Sequence, residues 1–448
     1  MDVEPSKLVE FLYLLWTTSH LTALCPNVSQ ARHRLAMVAS SLSLKETLGL
    51  RPEDFVVEEV LDITPSEKGD YSYYLLKKRN RGTLEVIQEL SERLNVPRYR
   101  FGFCGLKDRR AITFQYLSIE GGPPRDLRGE GYELLYLGRG EEPLKLGQAK
   151  GNRFRVTLRG VDPHALEKAL HQVERWGFPN YFGEQRFAGE LYAEEPIALH
   201  LLRGDHEGAL REHLCHHPQE EVREKLRRLW PNLYRFAQEA QKVLSRVDRI
   251  ALKVYLKKRD PERALRSLPK NVKLLFFFSY QAHLWNRVLA GIVRRLASNT
   301  LEVPFIKGTS LAFYRDWEAG LDALKGLQLP YASPELFGEQ LPPEIMEEFL
   351  RVLKEEMQRL KMEDIHAFLE TKALGLKVFS SGRRPALSFP WGGKVIRSEG
   401  DRCTLSFFLP SGSYATILLR RLLPKFSRSV PPSPSAPGSW PRGPSDRS

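Results

Sequence analysis

One nineteen-residue stretch, FGFCGLKDRRAITFQYLSI at 101–119, constrains this chain more than any other. A short apolar run reaches Gly105, a charged cluster follows, and ITFQYLSI then alternates with the period of two that a half-buried strand requires. The pattern predicts strand, tight loop, strand. The loop carries one acid, Asp108, between Lys107 and Arg109, with Arg110 beyond. Flanking positive charge favours the ionised carboxylate, which is the form a nucleophile or base needs. A KDRR tetrapeptide alone is more often a solvated turn, so its chemistry depends on what the rest of the chain brings to it.

RPEDFVVEE (51–59) opens with a Pro-constrained turn and continues as a strand. Glu58 and Glu59 are expected to face basic side chains. YSYYLLKKRNRGT (71–83) is a strand running into Lys77, Lys78, Arg79 and Arg81, with Arg93 further on. A basic rim beside aromatics suits phosphate contact with base stacking; a solvated strand end is the competing reading. LEVIQELSERLNV sets Leu84, Ile87, Leu90 and Leu94 at helical spacing, which predicts a helix packed on a sheet. Residues 132–159 read as two strands joined through GQAKGN. A helix follows, with Asp162 as N-cap, Pro163 as first residue and Gly177 as stop. PNYFGEQRF comes next and gathers Asn180, Tyr181, Phe182 and Gln185 on a loop, where function concentrates. Core packing is the plainer reading for the two rings.

From about residue 200 the chain is rich in amphipathic helical patterns. EHLCHHP (212–218) lacks a second ligand pair and is expected to be a solvated helix end rather than a metal site. YQAHLWNR reads as a buried helix whose one functional polar candidate is Asn286. Residues 343–370 supply two more helices, the first with an acidic outer face. Strand patterns return in GGKVIRSEGDRCTLSFFL, a hairpin through SEGD. SGSYATILLRRLL then reads as a Ser-capped helix with a basic end. Residues 427–448 are rich in Pro, Ser and Gly and read as disordered. At the other end, FLYLLWTTSHLTAL (11–24) is shorter than a membrane span, and MDVEPSK lacks the basic region of a secretory signal.

GLKDRRAITFQ resembles the active-site signature of the TruD family of pseudouridine synthases. RPEDFVVEE, LGQAKGNRFRVTLR (146–159), PNYFGEQRF (179–187) and LSFFLPSGSYATILLRRLL (405–423) fit that family in its order, and SYQAHLWNR (279–287) is a looser sixth block. The resemblance spans residues 45 to 423. It implies an α+β fold: a pseudouridine-synthase catalytic domain with a mixed, mainly antiparallel sheet, plus a helix-rich TruD insertion domain. The expected boundaries are an extension at 1–43, a discontinuous catalytic domain at 44–200 and 380–426, the insertion at 201–379 and a tail at 427–448. The resemblance further implies Asp108 as the catalytic residue, Phe182 against the target base and Asn180 ordering the catalytic loop. Lys107, Arg109, Gln115 and Asn286 complete the substrate-binding candidates. Family members often carry a Lys three positions before Pro52, where this chain has Gly49; Arg51 and Lys45 are the available substitutes.

The formal charge of +13, from 68 Lys and Arg against 55 Asp and Glu, favours a polyanionic partner without separating RNA, DNA and anionic membrane. Cys25, Cys104, Cys215 and Cys403 show no CxxC spacing, so neither a disulfide framework nor a zinc ribbon is supported and a reducing cytoplasm is expected. No Walker loop, no GxGxxG after a strand, no HExxH and no Ser-His-Asp signature is present. No cofactor and no metal are therefore expected, in keeping with the family's chemistry. The implied activity is isomerisation of a tRNA uridine, with uridine 13 the family's bacterial target. tRNA is the expected partner, with no membrane contact, and a monomer the expected state. A non-catalytic RNA-binding protein retaining the fold would have lost the Asp or broken its loop, and both are intact. A nuclease or methyltransferase would show clustered carboxylates or a Gly-rich cofactor loop.

Overall fold

The computed structural model describes residues 48–423 apart from 188, 307 and 308. The expectations for the N-terminal extension, for Lys45 and Cys25 and for the Pro/Ser-rich tail lie outside the described residues.

Nine strands form one mixed sheet. In chain order they are β1 (Phe55–Val60), β2 (Tyr71–Arg79), β3 (Phe101–Phe103), β4 (Ile112–Glu120), β5 (Leu127–Gly129), β6 (Tyr132–Gly140), β7 (Gly151–Arg159), β8 (Trp391–Glu399) and β9 (Arg402–Pro410). Their order across the sheet is β8-β9-β7-β1-β4-β2-β6-β5, with β3 also on β4. Only the β1–β4 pair is parallel; the others are antiparallel. The strand–loop–strand expectation for 101–119 holds, and its second strand, β4, lies inside the sheet.

β4 has an unusual pair of neighbours on one edge. β2 runs along its whole length, from Tyr71 opposite Glu120 to Arg79 opposite Ile112. The other edge is shared: β1 takes Ile112 to Phe114 and β3 takes Leu117 to Ile119. The connection 104–111 must travel back along the gap between them, which places Asp108 near the middle of the sheet. This is why a local sequence pattern becomes a site.

Apolar alternation buries two sets of side chains. Phe55 and Val57, Phe154 and Val156, and Leu405 and Phe407 join Leu166, Leu170 and Val173 of helix α2 (Pro163–Trp176) in the main core. Helix α1 (Thr83–Leu94) closes a second cluster through Val86, Ile87 and Leu90 against Leu76, Leu117 and Leu134. Each such side chain stabilises the fold by about 1.5–3 kcal/mol of transfer free energy. The caps foreseen for α2 are in place, with the Asp162 side chain accepting from the His164 N–H at 3.0 Å.

The helix-rich part is organised on α3 (Lys270–Leu296), 27 residues long and buried around most of its circumference from Phe276 onward. At 1.5 Å per residue it runs about 40 Å. Helix α4 (Pro343–Leu360) packs on it. Its acidic residues are not all outward, contrary to expectation. Glu348 and Glu356 are buried, and Glu356 accepts from the Tyr280 hydroxyl at 3.0 Å. EHLCHHP is likewise packed rather than solvated: Cys215 is buried, and His213 Nε2 lies 2.9 Å from Asp248 Oδ1. Among the described residues no group of three His, Cys, Asp or Glu could hold a metal ion, and no helix is long and apolar enough to cross a membrane.

The chain returns to the sheet at its end. β9 pairs with β7 from Arg402 opposite Arg159 to Pro410 opposite Gly151, and β8 turns back beside it through Gly400 and Asp401. Helix α5 (Ala415–Leu422) follows, but no Ser caps it. Tyr414 is the N-cap residue without a side-chain bond, and Ser413 Oγ instead accepts from Ser388 Oγ at 2.7 Å.

Candidate active site

The Asp108 loop is held from below by two buried charges and two buried polar side chains. Lys78, on β2, is 1% exposed. Its ammonium donates to the carbonyls of Asp108 at 2.8 Å, Arg81 at 2.9 Å and Lys107 at 3.5 Å. It is therefore not part of an exposed phosphate-binding rim, as its place in the KKR run had suggested. The rest of that rim is largely paired: Arg79 with Glu53, Arg81 with Glu89, and Arg93 with the Arg128 carbonyl.

Glu59 fills the gap where β1 leaves β4 and β3 joins it. One carboxylate oxygen accepts from the Tyr116 N–H at 2.8 Å, and the other takes the Lys107 ammonium. Both side chains are buried. Gln115 is fully buried too, accepting from the Thr83 hydroxyl at 2.8 Å and donating to the Gly105 carbonyl at 3.3 Å. Thr83 Oγ1 also accepts from the Lys107 N–H at 3.2 Å. Lys107 and Gln115, expected among the substrate-binding residues, thus hold the loop through Glu59, Thr83 and the Gly105 carbonyl. Arg109 is exposed, with a guanidinium nitrogen 3.1 Å from Glu85. The charges flanking Asp108 in sequence are therefore directed at Glu59 and Glu85.

Asp108 itself is half-buried, and its Oδ1 accepts from the Gln185 side-chain amide. That bond joins the signature loop to PNYFGEQRF. The second loop is fixed from the helical side and from the chain's return. Asn286, in the middle of α3, accepts from the Phe182 N–H at 2.8 Å and donates to the Phe182 carbonyl at 3.0 Å. Arg384 donates to the Asn180 carbonyl at 2.7 Å, to Asn180 Oδ1 at 2.8 Å and to the Tyr181 carbonyl at 3.3 Å. Tyr181 is wholly buried and donates to the Ala312 carbonyl at 2.6 Å. Glu184 pairs with Arg420 of α5, whose Nε lies 3.0 Å from its Oε1. Burial alone would push the Glu184 carboxyl up; the Arg420 charge and hydrogen bonds outweigh it and hold the group below the usual carboxylate range.

Phe182 is 5% exposed and sits inside an aromatic and cationic enclosure. Trp285 meets it edge-on at 5.5 Å, and Tyr331 and Tyr414 lie at 6.0 and 6.4 Å between centroids. The Arg384 guanidinium stacks at 4.3 Å from the ring and that of Arg186 at 5.4 Å. Trp285 and Arg384 are buried, whereas Arg186, Tyr331 and Tyr414 are half-buried and form the outward side.

The structure thus links Asp108 through Gln185 to the loop of Phe182, which Asn286 holds, whereas Asn180, expected to order the catalytic loop, bonds Arg384 and the Pro385 carbonyl instead. Sequence reasoning missed Lys78, Glu59 and Arg384 as parts of the site. Gln185 and Arg186 lay in the flagged loop without a role, and nothing local marks Arg384, which reaches Asn180 across 204 residues.

Asp108, on a loop across a mixed sheet, is thus bonded to a second loop pinned by α3 and α5. The family model described as tRNA pseudouridine synthase D (TruD) matches residues 37–306. A tRNA pseudouridine synthase D of Aquifex aeolicus is 37% identical over 83% of this chain and 96% of its own length. A probable tRNA pseudouridine synthase D of Methanococcus maripaludis is 31% identical over 83% of this chain and 97% of its own. The crystal structure of a putative TruD from Methanosarcina mazei superposes with a TM-score of 0.59 at 23% identity, covering 85% of this chain and 94% of that one, and shares its fold. The chain belongs to the TruD family.

Proposed function

We propose that this protein isomerises a uridine of tRNA, uridine 13, to pseudouridine, acting as a monomer in the cytoplasm with Asp108 as its nucleophile. The observation that carries the reading is the Asp108–Gln185 bond, which sets the only acid of the signature loop beside the loop bearing Phe182. The catalytic domain is taken as 44–200 with 380–426, and the helical insertion as 201–379. The target nucleotide leaves its stack and enters between these halves, at a cost of a few kcal/mol in unstacking that aromatic contact offsets. Asp108 then acts at the glycosidic bond or on the pyrimidine ring, the base turns, C5 bonds to C1′, and the C5 proton is lost.

The test is incubation with unmodified tRNA transcripts followed by pseudouridine mapping. Conversion at uridine 13 is expected; a transcript left unchanged under saturating protein would refute the assignment. Phe182→Ala should lower turnover by about 10²-fold while whole-tRNA affinity changes little, because most affinity comes from phosphate contacts elsewhere. Affinity loss without a turnover defect would remove Phe182 from the chemistry. tRNA binding should also weaken steeply between 50 and 200 mM salt, by about 10³-fold or more if six or more phosphates are neutralised. A flat salt response would contradict a basic binding face.

A further inference from the structure

Two guanidiniums at Phe182 lack the partners that buried cations ordinarily have. Arg384 is 6% exposed, and among the described residues no carboxylate lies within ion-pair distance of it or of Arg186. Three carbonyl-type oxygens take Arg384 Nε and Nη2, while Nη1 faces the turn at Gly412. Burial pushes this guanidinium down to about 10, so it stays charged at neutral pH. Arg186 Nε is buried with no hydrogen-bond partner, and its guanidinium lies between the Phe182 and Phe278 rings. Arg420 is neutralised by Glu184 and Arg287 by Glu355 and Glu356, whereas Arg223 and Arg421 are also buried with only carbonyl acceptors; the pair at Phe182 differs from those two in lying together on an aromatic ring beside the Asp108 loop. A desolvated cation without an anion is costly unless something else supplies the negative charge.

We propose that Arg186 and Arg384 form an anion site for the pyrimidine of the target nucleotide, stabilising the negative charge that develops on its ring oxygens during isomerisation. The proposal rests on the reading that a tRNA uridine enters beside Phe182. The charge arises by either course open to Asp108. If its carboxylate adds to C1′, the C1′–N1 pair leaves on the ring and spreads to O2 and O4. If it adds to C6, the C5=C6 π pair moves to C5 and O4. In both, the carboxylate's electron pair makes the new bond and the pyrimidine carries the charge; the C1′–N1 bond breaks, C5 bonds to C1′, the Asp108 carboxylate departs with the pair that bound it, and the C5 proton is lost as N1 gains one, leaving neutral pseudouridine and free carboxylate. A preorganised cation in a dry aromatic enclosure is worth far more to such charge than one in water. Arg186, half-buried on the outward side, is the member the ring meets first, and Arg384 lies behind Phe182.

Arg186 is the residue to test, because Arg384 also holds backbone and its loss would disturb the loop. In single-turnover assays Arg186→Gln should isomerise about 10²-fold more slowly, with tRNA affinity and its salt slope unchanged and the melting temperature retained. Arg186→Lys, which keeps the charge, should recover part of the rate. With RNA carrying 5-fluorouridine at the converted position, the Arg186→Gln deficit in consumption of the target nucleotide should shrink. The electron-withdrawing fluorine already stabilises the ring anion, and a residue that merely shapes the pocket would not respond to it. Three results would overturn the inference: an unchanged rate in Arg186→Gln, a deficit of equal size on the fluorinated RNA, or weaker binding with the salt slope reduced by about one, which would mark a phosphate contact. An inactive wild-type protein would sink the parent reading instead. An active one, dead as Asp108→Ala but untouched by Arg186→Gln, would sink only this inference.

Discussion

Asp108→Ala is expected to lower pseudouridine formation by on the order of 10⁴-fold or more while leaving tRNA affinity within about threefold of wild type. The two halves of that expectation have separate physical causes. Turnover depends on one carboxylate reaching one nucleoside, and no second acid of the signature loop can substitute. Affinity depends on many phosphate contacts, so deleting one acid hardly changes it. The fold should survive, because the loop is anchored through the Asp108 carbonyl, through Lys107 and through Gln115 as well. Asp108→Asn is the companion variant: it keeps the side chain's size and a polar contact to Gln185 but lacks the charge, and it should be as inactive. Pseudouridine mapping beside a filter-binding assay reads both quantities. An Asp108→Ala protein that still converts its tRNA would end the mechanism.

Lys78→Met should have the largest effect of any substitution outside the chemistry itself. The Met side chain keeps the length and most of the volume of the lysine stem but donates nothing. The carbonyls of Asp108 and Arg81, both within 2.9 Å of the ammonium, would remain buried without that donor. Hydrogen bonds from a charged donor are worth about 1.5–3 kcal/mol each, so a loss of about 3 kcal/mol of stability is expected. It would appear as a lower denaturant midpoint with an unchanged slope. Turnover should fall as well, by about 10²-fold, since a displacement of 1 Å at a reacting group costs about that much. Equal stability and turnover in Lys78→Met and wild type would show that the loop is supported elsewhere.

Lys78 also illustrates where sequence reading fails. In YSYYLLKKRNRGT it stands between two cations at a strand end, and the run looks like a phosphate-binding rim. Period-two alternation puts Lys78 on the face opposite Lys77 and Arg79, but alternation cannot say that a signature loop will arrive over that face with its carbonyls pointing down. The same holds for Lys107. Its place beside Asp108 suggested an electrostatic role toward that acid, yet its ammonium is drawn to Glu59, 48 residues earlier. The expectation that Glu58 and Glu59 face basic side chains was right, with Arg155 2.8 Å from Glu58, although Glu59's particular partner was out of reach of any local rule.

The features carried by short-range physics were legible without coordinates. Alternation, helical spacing, Asp162 and Pro163 at a helix start and the hairpin near Gly400 each depend on a few neighbouring residues, so the sequence alone determined the strand–loop–strand bearing Asp108 and the helices around it. Only the tertiary structure decided how buried charges are partnered. Lys78 beneath the loop, Glu59 in the gap between β1 and β3, Arg384 on Asn180 and Asn286 on Phe182 are contacts between segments tens to hundreds of residues apart. Removing a charge or an amide from water is tolerated only where the packed chain supplies a partner, and which distant segment supplies it is settled by the fold as a whole.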